Sequence, residues 1–324
     1  MKKTVVLYRK IDRGLVNILQ EQFNLIYFEK VNQDNYKQFV DSLSLADGLI
    51  GSSLDIKGEL IERAKNLKVI STISAGYNNF DIEQLTIKNI RLMNTPRVLT
   101  ETTADLIFAL LLSTARRIVE CSNFIQQGKW LQSIDSSLFG MDVHHKKIGI
   151  LGMGEIGKAL AKRAYLGFGM SVLYYNRSEK REVESLYNAK RLELDDLLKE
   201  SDFVCITLPL NSDTEKLINQ EKLALMKPTS ILINGGRGKI LDQEALIRSL
   251  KDRKIFAAGL DVFEQEPLSS CSELLNLPNV VLTPHIGSAT LETRKKMEEE
   301  AVKNLINAFK EEKPVKNLVN VLVG

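Results

Sequence analysis

The segment Gly152-Met153-Gly154-Glu155-Ile156-Gly157 constrains this chain more than any other, because of what flanks it. An apolar run, Ile148-Gly149-Ile150-Leu151, comes directly before, and helix-forming Lys158-Ala159-Leu160-Ala161 directly after. Strand, glycine-rich turn and helix in that order open a βαβ unit that binds a dinucleotide. One glycine permits the tight turn, one lets a pyrophosphate approach the backbone, and one lets helix pack on strand. The helix start then presents free N–H groups and partial positive charge to the anion. Gly152, Gly154, Glu155, Ile156 and Gly157 are therefore assigned to a dinucleotide cofactor.

Five more apolar runs follow at helix-length spacing: Val172–Tyr175, Phe203–Ile206, Ile231–Ile233, Ala257–Leu260 and Val280–Leu282. Six such strands predict a doubly wound parallel sheet. An earlier series, Val5–Tyr8, Gly48–Ile50, Val69–Ser71 and Ile90–Leu92, alternates with helical segments such as Leu60–Ala64 and predicts further βα units. Glu101–Gln127 reads as one long helix bridging two lobes. Ala289–Lys310 reads as another, followed by an apolar tail. Of the 324 residues, 44% are hydrophobic and 26% charged, which is material for packed cores and excludes widespread disorder.

Lysine and arginine number 44 against 41 acidic residues, and a net charge of +3 is no nucleic-acid footprint. The basic N-terminus leads into an apolar stretch too short for a signal peptide. Leu106–Leu112 is too short to span a bilayer of about 30 Å. The chain is expected in the cytoplasm, with neither a membrane nor a nucleic acid as partner. Cys121, Cys205 and Cys271 are far apart and lack CxxC spacing, so neither a disulfide framework nor a metal site is expected. Cys205, inside an apolar run, reads as a buried thiol.

The end of the second strand of the main series discriminates between dinucleotides. NAD sites place an acid there for the ribose 2′-hydroxyl. This chain has Tyr175-Asn176-Arg177-Ser178, with no acid before Glu179. Arg177 can pair with a 2′-phosphate, and Asn176 and Ser178 can donate to it. Such charge-assisted bonds contribute about 1.5–3 kcal/mol each. NADPH is the preferred cofactor on this reading, with NADH as the weaker one.

Carbonyl reduction by hydride needs a proton donor and a cation that polarises the carbonyl. Arg237, Glu266 and His285 each follow a different predicted strand, at the ends where open α/β sheets bind ligands. The chain has only three histidines. His144 and His145 precede a strand in a basic loop and read as surface residues, which leaves His285 for the chemistry. A carboxylate beside His285 would stabilise its imidazolium.

With these residues the chain resembles the D-isomer-specific 2-hydroxyacid dehydrogenases over essentially its whole length. The resemblance runs through Ser74–Asp81, the glycine loop, Asn234–Gly238, Gly259–Pro267 and Pro284–Thr290. Leu99–Thr102, Ser113–Arg117, Asp142–Lys146 and His285–Thr290 are similar to the branch that reduces glyoxylate, hydroxypyruvate and 2-ketogluconate. The resemblance implies that His285 is the proton donor, Glu266 its carboxylate partner and Arg237 the cation that holds the substrate carboxylate and carbonyl oxygen. It implies that Ala75 and Gly76 grip the substrate carboxylate through backbone N–H groups. Asp261 would contact the nicotinamide carboxamide and Pro209 would line the adenosine side. Gly235 and Gly287 are counted with the cofactor contacts.

The expected architecture is α/β, with two Rossmann-like lobes. A discontinuous substrate-binding lobe would span residues 1–98 and 286–324, a dinucleotide-binding lobe 99–285, and the cleft between them would close on substrate. The expected product is a D-2-hydroxy acid. A homodimer is implied, held by the Glu101–Gln127 helix and the arm up to Lys147. Trp130 reads as packing or subunit contact. Two alternatives stay open. An NAD-dependent phosphoglycerate-type dehydrogenase would want an acid in place of Asn176. A dinucleotide-sensing corepressor would favour a long disordered tail or a peptide-docking surface.

Overall fold

The computed structural model describes residues 2–310 and 317–320. The chain divides into two compact units, Met1–Leu99 with Ser288–Gly324, and Thr100–Gly287.

In the first unit, strands β1 (Thr4–Leu7), β2 (Asn24–Tyr27), β3 (Gly48–Gly51), β4 (Val69–Thr72) and β5 (Arg91–Met93) alternate with helices. These are α1 (Arg13–Gln22), α2 (Tyr36–Leu43), α3 (Glu59–Arg63) and α4 (Ile82–Ile87). Every strand pairing is parallel, in the order β2-β1-β3-β4-β5, so the sheet reverses direction of growth between β1 and β3. β3 and β4 are buried along their whole length, as befits strands covered on both faces. Val6, Phe39, Leu43, Leu49, Ile70 and Leu85 meet in one core cluster. β2 is a partly exposed edge strand whose apolar run is only three residues long, too short to stand out in the sequence.

The helix Leu291–Phe309 also belongs to this unit and packs on β4. Its first turn is capped by Thr290 Oγ1, which accepts from Thr293 N. Part of the expected apolar tail lies outside the described residues. Within 317–320, Val319 N donates to Leu92 O (2.8 Å) and Asn320 Oδ1 accepts from Leu92 N (2.9 Å).

The second unit opens with α5 (Thr100–Ala115) and α6 (Ile118–Gln126). Then come β6 (Lys147–Leu151), α7 (Glu155–Phe168), β7 (Ser171–Tyr175), α8 (Arg181–Tyr187), β8 (Lys190–Arg191) and α9 (Leu194–Glu200). The unit continues through β9 (Phe203–Ile206), α10 (Gln220–Ala224), β10 (Ile231–Asn234), α11 (Gln243–Lys251), β11 (Ala257–Leu260) and β12 (Val280–Leu282). The sheet is parallel, ordered β12-β11-β10-β9-β6-β7-β8, and it reverses between β6 and β9. Both units are thus doubly wound α/β folds, as expected.

Side chains along these strands alternate between two cores. Ile148, Ile150, Tyr174, Cys205 and Ile233 pack with Ile107 and Leu111 of α5 and Leu160 of α7. Leu151, Leu173, Val204, Ile206 and Leu232 pack on the other face with Leu197, Leu223 and Leu246. Each such aliphatic side chain contributes about 1.5–3 kcal/mol by leaving water.

Two expectations need correction here. Glu101–Gln127 is not one helix, because Arg117 takes a left-handed φ of 53° and α6 starts afresh after it. The Arg117 guanidinium pairs with Glu120 (2.8 Å) and donates to Phe139 O (3.2 Å), which holds the break. The sheet also has a seventh strand, β8, whose two residues are basic and carry no apolar pattern.

Candidate active site

The glycine loop lies at the carboxyl end of β6, beside the point where strand order reverses, which is where open α/β sheets take ligands. Gly152 has φ 102°, and its N–H donates to Tyr175 O (2.9 Å), tying the loop to β7. A side chain on Gly157 would put its first carbon 2.2 Å from Gly152 O, so α7 can pack this close only as glycine. Thr207 Oγ1 donates to that same carbonyl (2.6 Å). Gly154 faces open space, while Glu155 and Ile156 begin α7, where N–H groups lack intrahelical acceptors. The cradle suits a pyrophosphate. Pro209 is exposed just beyond β9, and its carbonyl accepts from Thr214 Oγ1 (2.7 Å).

At the end of β7, Asn176 is engaged within the site itself. Its Oδ1 accepts from Met153 N (3.3 Å), and its Nδ2 donates to Ser178 O (2.9 Å) and Ser178 Oγ (3.3 Å). Asn176 therefore braces the turn against the glycine loop, and outward donation falls to its neighbours. Arg177 and Ser178 are exposed, and the Arg177 guanidinium has no partner among the described residues. Arg191, absent from the sequence reading, reaches the same turn from β8. Its Nε donates to Asn176 O (3.1 Å) and its Nη2 to Arg177 O (3.4 Å). The one sequence signal for it is a basic pair where the next strand could fall. Beneath the turn, Tyr174 Oη donates to Glu184 Oε1 (2.6 Å) and accepts from Lys180 N (2.8 Å). Burial, helped by the Glu184 carboxylate, pushes this phenol up to about 12.

Beyond β10, β11 and β12 the structure brings the catalytic candidates together. His285 Nδ1 lies 2.6 Å from Glu266 Oε2, while Glu266 Oε1 accepts from Phe263 N (3.0 Å). Burial by itself would raise the Glu266 carboxyl, but His285, the Phe263 N–H and the Arg237 charge together hold it below the usual range. Arg237 is half-buried and donates to Gly236 O (2.8 Å). Burial lowers its affinity for the proton, against the pull of Glu266.

Asp261, buried at the end of β11, organises the loop that carries His285. Its Oδ1 accepts from Thr283 Oγ1 (2.7 Å) and Ile286 N (2.8 Å), and its Oδ2 from Gly287 N (2.9 Å). Its backbone carbonyl accepts from His285 N (3.0 Å). These bonds hold His285 at φ 52°, an uncommon conformation for a residue with a side chain. Burial raises the Asp261 carboxyl, and the donors around it oppose that shift. Gly235 N donates to Ile206 O (3.2 Å), linking the Arg237 loop to β9. Thr283 is a positioning residue that the sequence reading does not identify.

In the first unit, Ala75 and Gly76 follow β4. Asn94 Nδ2 donates to Ala75 O (2.7 Å), and Ser74 Oγ donates to Gly76 O. The two N–H groups make no hydrogen bond among the described residues, which leaves adjacent donors for an anion. His144 and His145 lie before β6, at the opposite end of that strand from the glycine loop. They are exposed and stack edge-to-face at 5.2 Å, consistent with surface residues.

Residues 108–287 match the family described as D-isomer specific 2-hydroxyacid dehydrogenase, NAD binding domain. The chain is 52% identical over 309 residues to glyoxylate/hydroxypyruvate reductase B of Serratia proteamaculans, covering 95% of each protein. The crystal structure of the TT0316 protein from Thermus thermophilus is 40% identical. It superposes with a TM-score of 0.88, covering 98% of this chain and 99% of that one. An NADPH-dependent glyoxylate/hydroxypyruvate reductase from Sinorhizobium meliloti, solved with NADP and malonate, is 28% identical. That match has a TM-score of 0.84 and covers 100% of both chains. On its motifs, its fold and this kinship, the chain belongs to the D-isomer specific 2-hydroxyacid dehydrogenases.

Proposed function

We propose that this oxidoreductase reduces small 2-oxo acids to D-2-hydroxy acids with NADPH as the preferred cofactor. Glyoxylate, hydroxypyruvate and 2-ketogluconate are the substrates. The observation that carries the reading is the 2.6 Å pairing of His285 with Glu266 at strand ends shared with Arg237. The Thr100–Gly287 unit would bind the cofactor and the other unit the substrate. The protein is assigned to the cytoplasm and to a homodimeric state.

When bound, the nicotinamide supplies a hydride to C2 of the oxo acid. His285 delivers the proton to the carbonyl oxygen from Nε2, because Nδ1 is held by Glu266. Glu266 remains ionised and offsets the imidazolium charge before transfer. Arg237 draws electron density toward the carbonyl oxygen as negative charge develops there. Ala75 and Gly76 hold the carboxylate through their unpaired N–H groups. Asp261 sets the His285 loop, and its remaining lone pairs are assigned to the carboxamide. Arg177 and Ser178 take the 2′-phosphate.

The test is to follow the absorbance of NADPH and of NADH with a panel of 2-oxo acids. Faster oxidation of NADPH with the three named acids supports the reading, and no oxidation with any acid refutes it.

A further inference from the structure

The turn Asn176-Arg177-Ser178 has three consecutive carbonyl groups, and all three are occupied from within the protein. Arg191 covers those of Asn176 and Arg177, and the Asn176 side chain covers that of Ser178. Ser178 Oγ also accepts from Asn176 Nδ2, so its own hydrogen stays free to donate. The backbone N–H groups of Arg177 and Ser178 and the Arg177 guanidinium have no acceptor among the described residues. Each carbonyl thus already accepts one bond, whereas these donors are unengaged, and the unmet capacity of the turn is chiefly for donation.

This matters for recognition at the adenosine ribose. A 2′-hydroxyl gains from an acceptor, whereas a 2′-phosphate brings only acceptors and negative charge and gains from donors. Carbonyl oxygens left uncovered here would serve the hydroxyl and repel the phosphate. A guanidinium can cover two carbonyls at once because its donors form a fixed fork, and Arg191 is half-buried where its strand pairs with β7. It carries a second positive charge to the same turn.

We propose that Arg191 is a positioning residue for a 2′-phosphomonoester. By clamping the Asn176 and Arg177 carbonyls, it presents the Arg177 side chain to the phosphate and withdraws the acceptors that a 2′-hydroxyl would use. This rests on the NADPH reading above. Arg191 acts through Arg177, so its contribution depends on Arg177 being present.

The experiment is a double-mutant cycle, with Kd for NADPH and NADH measured by calorimetry and with thermal melts as a control for folding. Arg191→Met should weaken NADPH by about tenfold, equivalent to about 1.4 kcal/mol, and leave NADH within about twofold. In an Arg177→Ala background, the same change should alter NADPH affinity by less than about twofold. Arg191→Lys, which keeps the charge without the fork, should fall between wild type and Met, and it carries the test if the Met variant does not fold. Equal weakening of both cofactors would reduce Arg191 to a structural role and overturn the proposal. So would an undiminished effect in the Arg177→Ala background. Failure of the NADPH reading is separately visible, as wild-type protein that binds both cofactors equally.

Discussion

His285 Nδ1 and Glu266 Oε2 are 2.6 Å apart, and this contact decides which end of the imidazole is left for chemistry. With Nδ1–H donated to the carboxylate, Nε2 is the atom that can exchange a proton with substrate. Removing the ring removes the donor without touching the glycine loop. His285→Ala should therefore lower kcat by about 10²–10⁴-fold and leave the Kd for NADPH within about twofold. Stopped-flow absorbance and calorimetry read the two quantities separately. A variant that keeps full reductase activity would remove His285 from the mechanism.

The same pair predicts a pH dependence of stability. The Glu266 carboxyl lies below its usual range in the folded protein. A lowered carboxyl stabilises the fold fully above its unfolded value, near about 4.3, and the gain fades as pH falls through the lower folded value. Glu266→Gln cannot titrate. The melting temperature of wild type should exceed that of Glu266→Gln most at pH 6, and the gap should narrow between pH 5 and pH 3. A gap that widens on acidification would contradict the assigned direction.

Gly157 and Arg177 separate two ways of losing a cofactor. A methyl group at 157 would collide with the Gly152 carbonyl, which is backbone and cannot swing aside. Gly157→Ala should displace α7 from the loop, weaken NADPH and NADH together by about tenfold or more, and lower the melting temperature. Arg177→Ala should weaken NADPH selectively. If both variants changed the two cofactors in the same ratio, the glycine loop and the β7 turn would not be distinct subsites.

The parts of the site legible in the sequence are those with a repeating or local signature. The β6 strand, the glycine loop and α7 are contiguous, and Arg237, Glu266 and His285 each follow an apolar strand, so strand counting brings them to one end of the sheet. Legibility ends where a tertiary contact replaces the pattern. Arg191 sits on a two-residue strand with no apolar alternation, and only the pairing with β7 places it beside Arg177. The Arg117 break escapes notice because helical spacing on either side is undisturbed by one left-handed residue. The family resemblance implies a cofactor contact for Asp261 but gives no sign that its carboxylate also holds the His285 loop through three hydrogen bonds, a contact that only the fold brings about.

Cysteine reactivity tests the packing of the second unit. Cys205 is fully buried in β9, and burial pushes its thiol up, so thiolate is scarce near neutral pH. Cys271 is exposed and Cys121 intermediate. At pH 8 a thiol-reactive disulfide should label Cys271 first and spare Cys205 until denaturant is added. Peptide mass mapping locates the label. Rapid labelling of Cys205 in native protein would show that the β9 core opens readily.

The proposed homodimer would use the surface around α6. This helix buries none of its residues, and Ile118 is 52% exposed, Trp130 62% and Leu131 88%. A concavity of about 620 Å³ beside α6 mixes apolar residues, among them Val119 and Val281, with polar ones such as Glu120 and Asn123. The concavity exposes Val119 and Leu275, apolar side chains of the kind that subunit contacts cover. It borders the amino-terminal ends of β11 and β12, whereas His285 follows the carboxyl end of β12, so a partner seated there leaves the catalytic loop clear. Light scattering should give twice the 36.5 kDa chain mass. Ile118→Asp combined with Leu131→Asp should give the single-chain mass, because two charges would have to be desolvated in the contact. NADPH binding by the Asp variant should persist, since the glycine loop, Arg177 and Arg191 all lie at the other end of the sheet. A wild-type protein that stays monomeric at micromolar concentration would rule out the dimer and leave the reductase reading untouched.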